Sequence, residues 1–165
     1  MGHPLRVAVV GCGGIAQMMH LPTLAERSDL FTIAGLADID RATLDAVAAR
    51  YHVDRRATDY RNLVAASDVD AVLVLASGPH RQFVIPALEA GKHVFVEKPL
   101  GFSLAETEDI ARAARQSGRV VQVGYHKRLD PGYQRARDEV RRASGLRFVE
   151  GTVLHPDGGP YRRHH

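Results

Sequence analysis

The sequence predicts an α/β fold: a doubly wound parallel sheet, followed by only the beginning of a second, α+β domain. Three observations predict it. Short apolar runs alternate with helix-patterned stretches from residue 5 to about residue 124. The first run ends in a glycine-rich turn, Gly11-Cys12-Gly13-Gly14, that opens a helix. After residue 124 the alternation gives way to a charged helix and a partly alternating run, so residues 1–124 and 125–165 read as two domains.

Leu5–Val10 is apolar throughout except for Arg6, the pattern of a central parallel strand buried on both faces. A helix is expected over residues 14–27, broken or kinked after His20 because Pro22 removes a donor and clashes with the preceding turn. Phe31–Ala37 is the second apolar run and ends at Asp38. Residues 41–50 form a helix with Leu44, Val47 and Ala48 on one face. A short third strand over 53–58 and a short helix over 60–66 follow. Residues 70–76 are the next buried strand, 82–90 a helix capped by Gly91, and 93–97 another strand. Ser103 with Glu106 three residues on makes a capping box for a helix that runs to Ser117 and stops at Gly118. Residues 120–124 close the series of strands, which right-handed crossovers join into a parallel sheet with helices on both faces. Asp130-Pro131 then opens a charged helix to Ala143, residues 146–155 read as a strand, and the tail is turn-like.

A chain of 165 residues that is 45% hydrophobic can build a proper core, and with 6% aromatics and no Trp its packing falls to alanine, valine and leucine. Lys and Arg exceed Asp and Glu by 22 to 19, and the basic residues are dispersed, so no nucleic-acid groove is expected. No apolar stretch approaches the roughly 20 residues of a membrane span, and no signal peptide is read. The single cysteine, Cys12, excludes an internal disulfide and suits a reducing, cytoplasmic setting. Lying in the glycine turn, it is a reactive thiol or a small residue filling a tight space; the second is favoured.

The chemistry starts at the glycine turn. Gly11, Gly13 and Ala16 fit G-x-G-x-x-A, the phosphate turn of a Rossmann dinucleotide fold. Gly11 permits the turn, Gly13 lets a pyrophosphate approach the backbone, and Ala16 lets the helix pack close to the strand. Free N–H groups over Gly11, Cys12, Gly13, Gly14 and Ile15 then face the phosphates. Asp38, at the end of the second strand, suits the adenosine ribose: its carboxylate accepts from both hydroxyls and repels a 2′-phosphate, favouring NAD, with NADP the alternative. The bland role for Asp38 is a helix cap, which Asp40 also suits. Arg41 either stacks on adenine or reaches a 2′-phosphate. Three further strand ends carry unusual residues: Ala76-Ser77-Gly-Pro-His80, Glu97-Lys98-Pro99 and Gly124-Tyr125-His126. Ligands of open parallel sheets bind beyond the strand carboxyl ends, where these converge.

The glycine turn with His20-Leu-Pro22, the run Ala87-Leu-Glu-Ala-Gly-Lys-His-Val94, Glu97-Lys98-Pro99, and Gly124-Tyr-His-Lys-Arg-Leu-Asp-Pro131 together resemble the glucose–fructose oxidoreductase / inositol 2-dehydrogenase / rhizopine-catabolism (Gfo/Idh/MocA) family. The resemblance implies an NAD(P)-dependent oxidoreductase that moves hydride between nicotinamide and a hydroxyl-bearing carbon of a sugar, cyclic polyol or sugar nucleotide. Lys98 matches the family lysine at the reacting hydroxyl, where a cation stabilises developing alkoxide and, if burial and the cofactor's positive ring lower its pKa, also passes a proton. The family's Lys–Pro bond is often cis. His80 and Glu97 match positions on the nicotinamide-ribose side, Ala76 and Ser77 are read as further cofactor-binding residues, and Tyr125 and His126 match strand-end positions near nicotinamide and substrate. His126 replaces a frequent asparagine, and the Ser77–His80 loop is shorter than the common form.

The family also implies a large second domain with an Asp-x-x-x-His pair. Here Asp157 is followed four residues on by Tyr161, so the expectation is a cofactor-binding part whose substrate domain is mostly absent, with a homo-oligomer or the missing domain as partner. His155, His164 and His165 are not read as metal ligands. A stand-alone nucleotide-binding module without turnover is the alternative; it keeps Asp38 but has no need of Lys98. A methyltransferase, which also sets an acid after its second strand, is disfavoured by the Glu97-Lys98-Pro99 context.

Overall fold

The structure, a computed structural model, describes residues 3–148 and 150. The chain divides into two compact units, one ending at Gly124 and a second beginning at Tyr125.

The first unit carries six parallel strands: β1 (Leu5–Val10), β2 (Phe31–Ala37), β3 (Arg56–Ala57), β4 (Ala71–Val74), β5 (His93–Val96) and β6 (Val121–Val123), in the order β3-β2-β1-β4-β5-β6. This is the doubly wound order with its switch point between β1 and β4. The helices are α1 (Leu21–Glu26), α2 (Arg41–Tyr51), α3 (Arg61–Val64), α4 (Arg81–Glu89) and α5 (Leu104–Ser117). β1 explains the layering: Ala8 and Val10 join one apolar cluster with α4 and α5, whereas Val9 joins the other with α1 and α2. Every one of these side chains is shut away from water, each fully buried valine contributing roughly 1.5–3 kcal/mol. The third strand is two residues long, shorter than the six expected, and α3 is also shorter than expected.

The break expected after His20 is not found. The helix continues through a π-helical turn, Ala16–His20, in which the Leu21 N–H reaches the Ala16 carbonyl. The wider turn accommodates Pro22 directly after it, easing the ring–carbonyl clash that interrupts an α-helix. A second helical proline, Pro86, leaves the Gln82 carbonyl without its intrahelical donor, and the Tyr60 hydroxyl donates to that carbonyl at 2.6 Å. The capping box is half formed. Ser103 Oγ accepts from the Glu106 N–H at 3.2 Å, but the Glu106 carboxylate turns to the N–H groups of Phe102 (2.8 Å) and Arg81 (3.2 Å). Those backbone bonds hold its pKa below the usual value. Glu106 thus ties the start of α5 to the start of α4. Gly91 and Gly118 adopt positive φ at helix ends, and so does His52 after α2.

In the second unit a 3₁₀ turn, His126–Leu129, precedes α6 (Pro131–Arg142), capped by Asp130. The sequence does not predict that turn. Of the strand expected over 146–155, residues 146–148 and 150 are in no regular element and the others lie outside the described residues, as do Asp157, Tyr161 and the terminal histidines. No described helix is long and apolar enough to cross a membrane.

Candidate functional site

The strand carboxyl ends form one rim, and at its centre the chain leaves β1 and β4 for opposite faces of the sheet. Gly11 sits at that switch point with φ +96°, and a Cβ there would lie 2.4 Å from the Ala76 backbone nitrogen. Glycine is required here by the fold itself: the turn after β1 presses on the segment after β4. Gly13 and Gly14 differ. A Cβ on either meets no atom of the described residues within 4 Å, so the space before them is open. Ala16 is fully buried against the sheet, Ile15 packs on the same cluster, and Gln17 Nε2 donates to the Cys12 carbonyl at 2.7 Å, fixing the turn.

Asp38 belongs to this turn. Its Oδ2 accepts from the Cys12 N–H at 2.7 Å and its Oδ1 from the Asp40 N–H at 2.9 Å. It is not the helix cap; Asp40 caps α2, accepting from the N–H groups of Ala42 and Thr43. An ionised carboxylate has about four acceptor positions, so each oxygen keeps one for a further donor. Cys12 is buried, and burial, aided by the Asp38 charge, pushes its thiol up to about 12. The buried thiol, with Sγ 3.8 Å from the Ala37 carbonyl, sits as a space-filling residue does. Arg41 is exposed and pairs with Asp45 at 3.2 Å. Ile39, between Asp38 and Asp40, is 92% exposed, an apolar surface beside the carboxylate that the sequence reading overlooks. An apolar residue interrupting a polar strand end was the available signal.

On the other half of the rim, Ser77 is exposed while Ala76 is half-buried beneath Gly11. His80 is 3% exposed, with Nδ1 2.8 Å from the Pro99 carbonyl and Nε2 3.1 Å from the Ala76 carbonyl. His80 thus lies between two backbone carbonyls, and with one ring N–H to give, the shorter contact makes Nδ1–H the donor to Pro99. Glu97 Oε1 lies 2.9 Å from His20 Nε2, and Oε2 accepts from the Lys98 N–H at 3.1 Å. His20, the last residue of the π turn, meets the Phe95 ring edge-on at 5.2 Å. Gly124 leaves room for the carboxylate; a Cβ there would sit 3.2 Å from Glu97 Oε1. The sequence reading assigned neither His20 nor Gly124 a role, and only the fold brings them to Glu97. The Lys98–Pro99 bond is cis. In this unit the Lys98 side chain is exposed. Tyr125 and His126 belong to the second unit, where both are exposed.

The donor set fits a dinucleotide. The unfilled space before Gly13 and Gly14 admits phosphate oxygens to backbone N–H groups at the start of a helix, and the Asp38 carboxylate has acceptor capacity for a diol.

The comparisons with known proteins agree. The family model described as "Oxidoreductase family, NAD-binding Rossmann fold" matches residues 5–125. An inositol 2-dehydrogenase/D-chiro-inositol 3-dehydrogenase of Shouchella clausii is 41% identical over 134 residues, covering 78% of this chain and 38% of the relative. Among solved structures, the scyllo-inositol dehydrogenase from Lactobacillus casei, with bound NAD(H) and scyllo-inositol, superposes with a TM-score of 0.77 at 28% identity, covering 84% of this chain and 41% of that one. A 3-ketoreductase from Actinomadura kijaniata, in complex with NADP and TDP-benzene, superposes with a TM-score of 0.75 at 29% identity, covering 84% and 42%. The chain spans about two-fifths of the length of these relatives. By sheet order, glycine turn and family match, the chain belongs to the Gfo/Idh/MocA oxidoreductase family, of which it carries the NAD-binding Rossmann fold.

Proposed function

We propose that this rim binds a nicotinamide dinucleotide, NAD in preference to NADP, and that the chain is the cofactor-binding part of an oxidoreductase acting on a hydroxyl of a sugar-like or polyol substrate. One observation carries the reading: the Asp38 carboxylate is fixed by the Cys12 N–H at 2.7 Å beside the open Gly13-Gly14 turn, so a diol acceptor and a phosphate cradle form one unit. The pyrophosphate is assigned to Gly11, Cys12, Gly13, Gly14 and Ile15, with Ala16 allowing the close helix, and the adenosine ribose to Asp38. The exposed Ile39 next to Asp38 offers an apolar surface for the adenine, and Arg41, already paired with Asp45, is less available to a 2′-phosphate. Ala76 and Ser77 border the nicotinamide side, and Tyr125 and His126 are kept as contacts supplied by the second domain.

When bound, the nicotinamide supplies the hydride acceptor or donor. Lys98 supplies a cation at the reacting hydroxyl. As the carbon is oxidised, the neutral Lys98 amine accepts the hydroxyl proton, and the ammonium so formed stabilises the negative charge on that oxygen; in the reverse direction the ammonium returns the proton. The free side chain of Lys98 supports this role, because its one polar contact among the described residues is through its backbone N–H. A module that only bound nucleotide would have no use for it. Polyol and sugar-nucleotide substrates are favoured because relatives named for inositol and a structure holding TDP-benzene match this chain. The single buried cysteine suits a cytoplasmic, reducing setting.

The test is calorimetric titration of NADH and NADPH into the chain. Binding of one NADH per chain, tighter than NADPH, is expected. Failure to bind either nucleotide overturns the reading.

A further inference from the structure

We propose that His20 and His80 are positioning residues: two imidazoles that clamp the Glu97–Lys98–Pro99 segment from separate elements and so set where Lys98 is presented. The proposal rests on the reading of Lys98 as the proton-handling residue.

The clamp is long-range in sequence. His20 closes the π turn after β1, 77 residues before Glu97, and His80 immediately precedes α4, 19 residues before Pro99. Glu97 is an acceptor, so His20 must carry its proton on Nε2 to bond Oε1 at 2.9 Å. The edge of Phe95 restrains the same ring. The second carboxylate oxygen takes the Lys98 N–H at 3.1 Å. On the far side His80 Nδ1 meets the Pro99 carbonyl at 2.8 Å while Nε2 meets the Ala76 carbonyl at 3.1 Å. Three successive residues are thereby held: by a carboxylate at 97, an amide at 98 and a carbonyl at 99.

The physical need is clear. Lysine has a long, flexible stem, and its ammonium is placed only as well as the backbone beneath it. A displacement of about 1 Å at a reacting group is enough to lose much of the benefit of orientation. Supporting hydrogen bonds of this kind supply the rigidity. The π turn acquires a purpose in the same picture, since it delivers His20 onto Glu97.

The test is amide hydrogen exchange by NMR on the chain without nucleotide. His20→Phe keeps a ring against Phe95 but removes the Nε2 donor; His20→Gln restores a donor. Lys98 amide exchange should quicken at least about tenfold in His20→Phe, with the β1 and β4 amides unchanged, and return in His20→Gln. His80→Leu should also quicken it, and His80→Asn, which keeps an N–H near the Nδ1 position, should restore it. Where the variants of one histidine do not fold, the pair at the other histidine carries the test. Unchanged Lys98 exchange in the folded variants overturns the proposal. Because no nucleotide is present, failure of the clamp and failure of the cofactor reading are separate results.

Discussion

The two edges of the parallel sheet use polar residues in opposite ways. At the amino edge, charges are satisfied within the protein. Arg6 grips Asp70 with its backbone N–H, Nε and Nη2 at 2.9, 2.9 and 2.6 Å. Buried Lys92 sends Nζ to the carbonyls of Ala66 and Val69 at 2.6 and 2.9 Å, and His93 Nδ1 accepts the Val120 N–H at 3.1 Å. At the carboxyl edge, groups are fixed but not exhausted. Asp38 is held by two backbone donors with acceptor capacity to spare, Gly13 and Gly14 front open space, and Lys98 is anchored by its amide alone among the described residues. Closed polar networks stabilise a fold. Networks that orient a group while leaving it unsatisfied prepare a ligand site.

Four substitutions probe that contrast. Gly11→Ala has the largest effect, because the new methyl meets the Ala76 backbone at a positive φ; a loss of about 3 kcal/mol or more in urea unfolding is expected. Tolerance of that change would remove the fold-based reason for glycine at the switch point. Lys92→Met comes next. It leaves two carbonyls below the sheet without their donor and should cost about 1–3 kcal/mol, with NADH affinity unaltered. A matching loss of affinity would mean the two edges are not separable.

Gly13→Ala reverses that pattern. Its methyl meets no atom of the described residues, so unfolding free energy should stay within about 0.5 kcal/mol while NADH binding weakens about tenfold in calorimetry. The smallest effect is at Asp70, which Arg6 holds down to about 2. A lowered carboxylate pKa adds stability above the unfolded value near 3.9, and that stability is lost as pH falls from there toward 2. Asp70→Asn should therefore flatten the acid limb of thermal stability between about pH 4 and pH 2 and leave neutral cofactor binding alone.

The sequence was most legible where the determinant was local. The apolar run into Gly11, Asp40 before α2 and Ser103 before α5 act over a few residues, and the sheet follows from their alternation. What stayed hidden depends on distant partners. Pro22 reads as a helix break because nothing nearby announces the π turn. Glu106 reads as the second half of a capping box because its other partner, the Arg81 N–H, lies 25 residues away. The rim residues were visible as strand ends, so the fold gathers Gly11–Ala16, Asp38, Ala76, Ser77, His80, Glu97 and Lys98 along one edge of the first unit. Their division of labour was not visible. That His80 sits between the Pro99 and Ala76 carbonyls, and that His20 holds Glu97, requires the folded path of the chain.

The most direct measurement is a residue-resolved amide shift map of the chain titrated with NADH. The account predicts saturable shifts at Gly11–Ala16, Asp38–Arg41, Ala76–His80 and Glu97–Lys98, with Arg6, Asp70 and Lys92 unmoved. Shifts centred on Arg6, Asp70 and Lys92, or no shifts at saturating NADH, would contradict the assignment of the carboxyl edge as the cofactor site.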